Sequence, residues 1–431
     1  MDLALVLLVL VAQEPAQDIA LVPEPARLTH GPFLGHIDAG SARIWARASR
    51  AGTYSLVIGG VEGVLEARAE PEHDFTLEWL ASDLAPDREY RYSIHAGETE
   101  LLPEAALRFR TTAGDDAPRT VLAFGSCAND RRFPLQPIWN RIWDSGAEAI
   151  VVLGDTPYID STELAVQRRR YREFYALPEL AAVWRALPLY ATWDDHDFGA
   201  NDTDGTIEGK EFARQAFDEY HPNPSCGVDG AGIFTSFRRG PVEVFLLDAR
   251  WFAGTEPSPF DPEQPTLLGA VQWKWLERAL VASTAPFKIL ATGMIWNGAT
   301  RPGKRDHWMS YPHERDAMFR FIGEHGITGV VLLGGDIHRS RALRYPTTDV
   351  AGYELTELIT SPLANTVIEA ANAPSPYLLH DAGVQQTFLL VTVDASHAPA
   401  TLLAQCLDVE GRELFAVRLS ADALQAASED R

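Results

Sequence analysis

The sequence predicts an α/β fold preceded by a smaller all-β unit, on three observations. Between residues 29 and 112, short runs with strand-like alternation are separated by turn residues. Residues 111–118, Thr-Thr-Ala-Gly-Asp-Asp-Ala-Pro, make a polar, breaker-rich boundary. After Arg119 the order becomes strand, loop, helix, repeated, and the chain later turns β-rich.

In chain order, the first element is the apolar run Met1-Asp-Leu-Ala-Leu-Val-Leu-Leu-Val-Leu-Val-Ala12, which stops at Gln13-Glu14-Pro15. That length suits a signal-peptide core and is short for a membrane span. Asp2 stands where a Lys or Arg is expected, which makes the signal atypical; a buried N-terminal strand is the alternative. Residues 1–26 are therefore read as signal peptide and linker. The mature protein is expected to be periplasmic or secreted, with no transmembrane span.

Strand patterns follow at 42–47, 54–58, 75–79, 89–94 and 107–110, which together imply a β-sandwich over 27–112. Leu84-Ala-Pro-Asp-Arg-Glu-Tyr90 resembles the corner of fibronectin type III-like domains, in which a tyrosine hydroxyl ties a turn to the backbone. Its role is structural. Beyond the boundary, 137–143 carries apolar residues at helical spacing and runs straight into the strand 149–153, a βαβ unit. Helices are predicted at 272–280 and 313–322, each followed by a strand, at 288–291 and 329–333. Their tryptophans are read as packing groups. Strands at 354–359, 387–393 and 400–404 complete the pattern.

With 431 residues, 46% hydrophobic and 23% charged, the chain can bury two cores and is not disordered. A formal net charge of -23 argues against nucleic acid as a partner, because counterion release requires a basic face. Three cysteines are too few for a disulfide framework; if Cys127 binds metal, only Cys226 and Cys406 remain to pair.

Four segments carry the chemistry: Phe124-Gly-Ser-Cys127, Gly154-Asp155-Thr-Pro-Tyr158, Trp193-Asp194-Asp195-His196-Asp197 and Gly335-Asp336-Ile-His338. Each closes an apolar run, and strand ends at one rim of a sheet are where α/β folds gather functional groups. Carboxylates and a phenolate suit a hard, highly charged cation, thiolate and imidazole suit transition metals, and a shared carboxylate can bridge two ions. Asp155 is the natural bridge. A phenolate from Tyr158 points to a strong Lewis acid such as ferric iron rather than plain zinc. No Gly-x-Ser-x-Gly elbow and no P-loop is present, so acyl transfer and NTP binding lack support.

This set, with Asn201-Asp202 after the third segment and Gly334 before the fourth, resembles the alkaline phosphatase D (PhoD-like) family of calcineurin-like metallophosphoesterases, akin to purple acid phosphatases. Leu247-Asp-Ala-Arg250 is similar to the family's Asp-x-Arg strand. The resemblance implies a two-sheet αββα metallophosphoesterase sandwich over 119–420, behind the fibronectin type III-like unit. It also implies Fe3+ held by Cys127, Asp155, Tyr158 and His338, and Ca2+ held by Asp195 and Asp336 with Asp155 shared. His196 falls on the histidine that protonates the leaving group, with Asp194 or Asp197 expected to orient it. Asn201 is a candidate phosphoryl donor, Asp202 a further calcium oxygen and Lys210 a further charge.

The implied function is hydrolysis of small-molecule phosphate esters, as a phosphomonoesterase or phosphodiesterase, by metal-activated hydroxide in a monomeric enzyme. The alternatives are a phospholipase D-like phosphodiesterase acting on larger diesters and a secreted, non-catalytic binding protein. Thr156 and Pro157 stand between Asp155 and Tyr158, so no Arg or Lys there grips phosphate. Arg131, Arg132 and Arg339 are the candidates for that clamp.

Overall fold

A computed structural model describes residues 25–102 and 107–426; the signal-peptide reading of the first residues lies outside the described residues. Among the described residues the N-terminal region has eight strands: β1 (Leu28–Ile37), β2 (Ala42–Ala48), β3 (Gly52–Ile58), β4 (Leu65–Ala69), β5 (Thr76–Ala81), β6 (Glu89–Ala96), β7 (Thr99–Leu102) and β8 (Arg108–Arg110). One sheet runs β1-β2-β5. The other runs β4-β3-β6-β7, with β8 also paired to β6.

Period-two alternation decides what each residue of β2 touches. Ala42, Ile44, Ala46 and Ala48 join a core of their own region with Tyr54, Trp79 and Tyr92. Trp45 points the other way, into the core of the larger region. There its ring and that of Phe33 stack (5.6 Å, 3°), and Phe33 stacks in turn on Trp184 (4.5 Å, 4°). Both indole N–H groups are satisfied, Trp45 donating to Glu219 O and Trp184 to Leu34 O, each at 2.8 Å. The two regions thus dock through stacked aromatics whose polar tips are paired. At the predicted corner, Ala85 N–H donates to Tyr90 Oη at 2.7 Å.

The larger region runs β9 (Arg119–Gly125), α1 (Ile138–Asp144), β10 (Ala149–Leu153), α2 (Leu164–Tyr175), α3 (Pro178–Trp184), β11 (Leu189–Thr192), α4 (Asp195–Phe198) and α5 (Lys210–Tyr220). It continues with β12 (Thr235–Arg239), β13 (Val242–Leu246), α6 (Gly269–Ala282), β14 (Phe287–Ala291), α7 (Pro312–Glu324), β15 (Val330–Gly334), β16 (Ser340–Tyr345), α8 (Thr348–Ala351) and β17 (Leu355–Ile359). It closes with β18 (Leu378–Ala382), β19 (Thr387–Asp394), β20 (Thr401–Asp408) and β21 (Glu413–Ser420). Two mixed sheets result, ordered β11-β10-β9-β19-β20-β21 and β12-β13-β14-β15-β17-β16-β18.

Strand β10, Ala-Ile-Val-Val-Leu, is buried along its whole length, as a parallel strand covered on both faces must be. Val151 and Leu153 enter a core shared with β13, β14 and β15 of the other sheet, while Ile150 and Val152 enter a second core with residues of α1, α2 and α3. Strands β9, β10 and β11 run parallel, as do β13, β14, β15 and β17. Three of the four sequence motifs follow the carboxyl ends of β10, β11 and β15, and the first begins inside β9 and ends beyond it.

Several elements differ from expectation. Leu247-Asp-Ala-Arg250 lies beyond the end of β13 rather than in a strand, because the Asp248 carboxylate accepts from the Ile233, Arg250 and Trp251 N–H groups and from Trp193 Nε1, which folds the segment into a turn. Helix α2, which carries Arg168-Arg-Arg170, is not among the helices predicted from the sequence. Trp143 of α1 is 49% exposed, whereas Trp139 and Trp273 are buried.

Candidate metal centre

Close backbone contact assembles the four motifs. Gly154 has φ 91°, and a Cβ there would fall 2.3 Å from Asp194 N, so the second and third loops touch where only glycine fits. A Cβ on Gly335 would fall 2.6 Å from Ser126 Oγ, which joins the fourth loop to the first. Asp194 and Asp197 form a capping box on α4. The Asp197 carboxylate also accepts from Asp155 N (2.6 Å) and Thr156 N (2.8 Å), tying the second loop to the third.

The loops hold their residues in uncommon conformations. Cys127, Asp155, Asp336 and His338 have φ of 62°, 54°, 67° and 51°, the left-handed region that non-glycine residues seldom adopt. Such backbone costs on the order of 1–3 kcal/mol per residue and persists where surrounding structure enforces it, which is typical of functional sites.

Cys127, Asp155 and His338 each present an atom within 4.8 Å of the others'. Cys127 Sγ lies 3.5 Å from Asp155 Oδ2, and Tyr158 Oη lies 2.8 Å from His338 Nε2. Across the ring, His338 Nδ1 is 2.8 Å from Thr366 O, a carbonyl that can only accept. Nδ1 therefore carries the hydrogen and Nε2 presents its lone pair to the cluster, as a metal-binding imidazole requires. Burial pushes the His338 pKa down to about 4 and the Cys127 thiol well above its ordinary value.

The carboxylates beside this group have spare valence. Asp155 Oδ1, Asp194 Oδ2 and Asp336 Oδ2 are buried without a hydrogen-bond partner among the described residues. Burial, then repulsion from Asp195 and Asp194, holds the Asp155 pKa well above the usual carboxylate range; burial takes Asp336 to about 6. Unpaired buried oxygens and crowded carboxylates are costly in a bare protein and are relieved by cations. Asp155, Asp195 and His196 form one further group with converging ligand atoms, and Asp195, Asp202 and Asp306 another. The residues present fit metal ions.

Protein cations border the second group. Arg250, 1% exposed, pairs with Asp194 and donates to both oxygens of Asp306, at 2.8 Å and 2.6 Å. Lys304 Nζ sits 3.0 Å from Asp336 Oδ1, 3.1 Å from Asp202 Oδ1 and 3.5 Å from Asp306 Oδ2. Burial works against the Lys304 ammonium, but Asp336 and Asp306 outweigh it and raise its pKa.

His196 stands at the rim, and its expected orienting partners need correction. Its Nδ1 lies 2.5 Å from Asp160 Oδ1, whereas Asp194 and Asp197 are occupied in the capping box and with Arg250. Burial opposes the charged imidazole, but the Asp160 hydrogen bond and nearby Asp195 outweigh it, so the His196 pKa is raised. Asn201 and Asp202 are exposed, and Asp202 N–H donates to Asp195 Oδ2 at 2.8 Å.

Most of the charges expected to grip phosphate have other partners or face solvent, and Arg132 Nη1 donates to Thr366 Oγ1 at 3.2 Å. Arg339 pairs with Asp381, Arg131 and Arg132 are exposed, and Lys210 donates to Gly205 O and Trp251 O. Sequence reasoning did not find Asp160, Arg301, Lys304 or Asp306. Asp160 lies two residues past Tyr158 and was within reach of a motif reading; the others sit on a loop that only the fold brings to the rim.

The PhoD-like phosphatase family model matches residues 122–396. The chain belongs to the PhoD-like phosphatase family. A second model, a domain of unknown function (DUF7800), matches residues 25–113. Alkaline phosphatase D of Bacillus subtilis is 25% identical over 321 residues, covering 64% of this chain and 55% of that protein, so the chain spans little more than half of that relative. A solved structure of PhoD superposes with a TM-score of 0.73 at 20% identity, covering 91% of this chain and 88% of that one. A purple acid phosphatase from yellow lupin (Lupinus luteus) seeds gives 0.68 at 11% identity, covering 90% and 74%. This PhoD-like chain thus shares a mixed α/β fold with both. Among its described residues no helix is long and apolar enough to cross a membrane, and Cys127, Cys226 and Cys406 are free.

Proposed function

We propose that this protein is a metal-dependent hydrolase of small-molecule phosphate esters. The observation that carries the reading is the trio of unpartnered buried oxygens on Asp155, Asp194 and Asp336, next to a thiol, a phenol and an imidazole lone pair. Membership of the PhoD-like family supports it. In this reading Cys127, Asp155, Tyr158 and His338 hold Fe3+, and Asp195 and Asp336, sharing Asp155, hold Ca2+. We read the larger region, 119–420, as the αββα catalytic unit and 27–112 as a fibronectin type III-like sandwich. The protein would act as a monomer in the periplasm or outside the cell.

Bound metal ions supply Lewis acidity, polarising the phosphoryl group and acidifying water. The chain's own residues do the rest. Thr366 fixes the His338 tautomer, and the Asp197 carboxylate fixes the Asp155 loop. Asp160 holds His196 by Nδ1, which leaves Nε2 to give its proton to the departing ester oxygen. The raised His196 pKa keeps that proton in place at higher pH than an ordinary histidine would. Asn201, on the exposed loop past the third motif, is a candidate donor to a phosphoryl oxygen.

The test is turnover of nitrophenyl phosphate and bis-nitrophenyl phosphate by protein purified without chelator, with calcium added. Activity on at least one ester, lost to chelator and restored by iron and calcium, is expected. A metal-loaded protein that turns over neither ester refutes the reading and favours a binding module. For the iron assignment, the purified protein should absorb in the visible and Tyr158→Phe should bleach or shift the band; an unchanged spectrum removes Tyr158 from the site.

A further inference from the structure

We propose that Arg301 and Lys304, on the loop 297–309, are the phosphate clamp and that this pair of cations selects a phosphomonoester dianion over a phosphodiester monoanion; the proposal rests on the hydrolase reading above. Several other cations around the site are committed, and Arg132, exposed, donates to Thr366 Oγ1 at 3.2 Å. Arg250 is divided between Asp194 and Asp306, and Arg170 is 1% exposed among Asp130, Glu173 and the Tyr158 carbonyl. Arg339 and Lys210 face other partners.

Arg301 differs from these. Its side chain is 27% exposed, and its ionic contact, to Asp336 Oδ1, is 3.8 Å long, beyond hydrogen-bond range. A guanidinium fork therefore stands at the site with donors to spare. Lys304 Nζ, 4% exposed, reaches the same atom, Asp336 Oδ1, at 3.0 Å and is shared with Asp202 and Asp306 at 3.1 Å and 3.5 Å, so it adds fixed charge beside the open Arg301 fork. Asp336 is thus a divided carboxylate, with Oδ1 turned to two protein cations and Oδ2 the buried oxygen without a partner. The two cations stand directly beside an oxygen fit for metal, and a phosphoryl group there would have positive charge on both sides.

The loop is built to hold them. Its ends are pinned by stacking of Trp296 on Trp308 (4.0 Å, 13°) and by Trp308 N–H donating to Ile295 O at 3.1 Å. Its span is tied by buried Arg341, which donates to Thr300 O at 3.2 Å, and by His307 Nε2, 2.9 Å from Lys304 O. Near neutral pH a monoester phosphoryl group carries close to two negative charges, as phosphorylated side chains do. A diester carries one and bears a second ester arm. Two charge-assisted contacts therefore favour the monoester.

The experiment uses the metal-loaded full chain and Arg301→Gln, Lys304→Gln and Arg301→Lys. In both Gln variants the KM for nitrophenyl phosphate and the calorimetric dissociation constant of inorganic phosphate should rise together, roughly 10- to 100-fold. The diester bis-nitrophenyl phosphate, with one negative charge fewer, should lose less than the monoester does. Iron and calcium content should stay at the wild-type level, and Arg301→Lys should recover part of the phosphate affinity. Unchanged phosphate affinity in Arg301→Gln overturns the clamp. So does an equal loss on monoester and diester, or loss of metal from Lys304→Gln, which would give Lys304 a part in holding metal rather than in gripping phosphate. If wild-type protein turns over neither ester, the hydrolase reading fails, while phosphate calorimetry still tests the clamp.

Discussion

The two halves of the candidate metal centre are built from different chemistry. Around Cys127, Tyr158 and His338 the candidate donors are a thiol, a phenol and an imidazole, and contacts run among these side chains and Asp155. Around Asp194, Asp195, Asp202, Asp306 and Asp336 nearly every donor is a carboxylate, and the protein threads Arg250 and Lys304 between them. The first half gathers neutral donors; the second, crowded with negative charge, brings part of its own compensation. Electrostatics sets the difference, because several carboxylates buried together repel strongly whereas a neutral imidazole and thiol do not.

The largest effect is expected where the halves meet. Asp155 belongs both to the group with Cys127 and His338 and to the group with Asp195 and His196. Asp155→Asn should deplete metal from both and lower turnover on every ester by on the order of 10⁴-fold or more. Elemental analysis beside the rate measurement checks it. Full loss of iron with calcium retained would mean that the halves are independent.

Arg250→Met breaks the second half from within. It leaves Asp194 and Asp306 buried without their guanidinium, which should destabilise the fold by about 3–5 kcal/mol. Denaturant unfolding with metals present and absent is the measurement. A loss that disappears when calcium is supplied would show that the ion takes over the arginine's role, and a loss of less than about 1 kcal/mol would remove Arg250 as the main counter-charge.

Much of this arrangement was legible in the sequence, and the reason is local. Each of the four motifs closes an apolar run, which carried it to a strand end at one rim, while the choice of Cys127, Asp155, Tyr158, Asp195, Asp336 and His338 within them was what the family resemblance implied. The Leu84 to Tyr90 segment could likewise be read as a corner, because its hydrogen bond spans five residues. The compensating charges were not legible. Lys304 meets Asp202 across 102 positions and Arg250 meets Asp194 across 56, distances at which no spacing rule operates. The orienting partner of His196 differs for a related reason: Asp194 and Asp197 are nearer in sequence, but Arg250 holds Asp194 Oδ1, the Asp194, Asp155 and Thr156 N–H groups hold the Asp197 carboxylate, and Asp160, 36 positions away, comes to the ring.

Asp160 gives the next prediction in size. As a positioning residue acting through His196, it should matter only when the leaving oxygen needs a proton. Asp160→Asn is expected to slow an alkyl phosphate roughly 10- to 100-fold, to change nitrophenyl phosphate much less and to leave metal content intact. Equal losses on both esters would place Asp160 in metal or substrate binding instead.

The smallest effect contrasts the crowded carboxylates with a titratable group buried without any charge beside it. His221 lies against the aromatic cluster of α2 and α5, its ring 4.1 Å from that of Phe217, with Nδ1 3.0 Å from Phe217 O and Nε2 3.0 Å from Tyr175 Oη. Burial pushes its pKa from 6.5 down to about 4. The unfolded chain therefore binds a proton that the folded chain refuses across that window, so the His221 contribution to stability is intact above pH 6.5 and is lost as pH falls toward 4. Between pH 7.5 and 5.5 this amounts to roughly 1 kcal/mol. Wild-type protein should lose that much more denaturant stability over the interval than His221→Gln, with metals held constant. If the two lose stability in parallel, acid sensitivity lies in the carboxylate-rich half of the metal centre, and the aromatic cluster tolerates a charged imidazole.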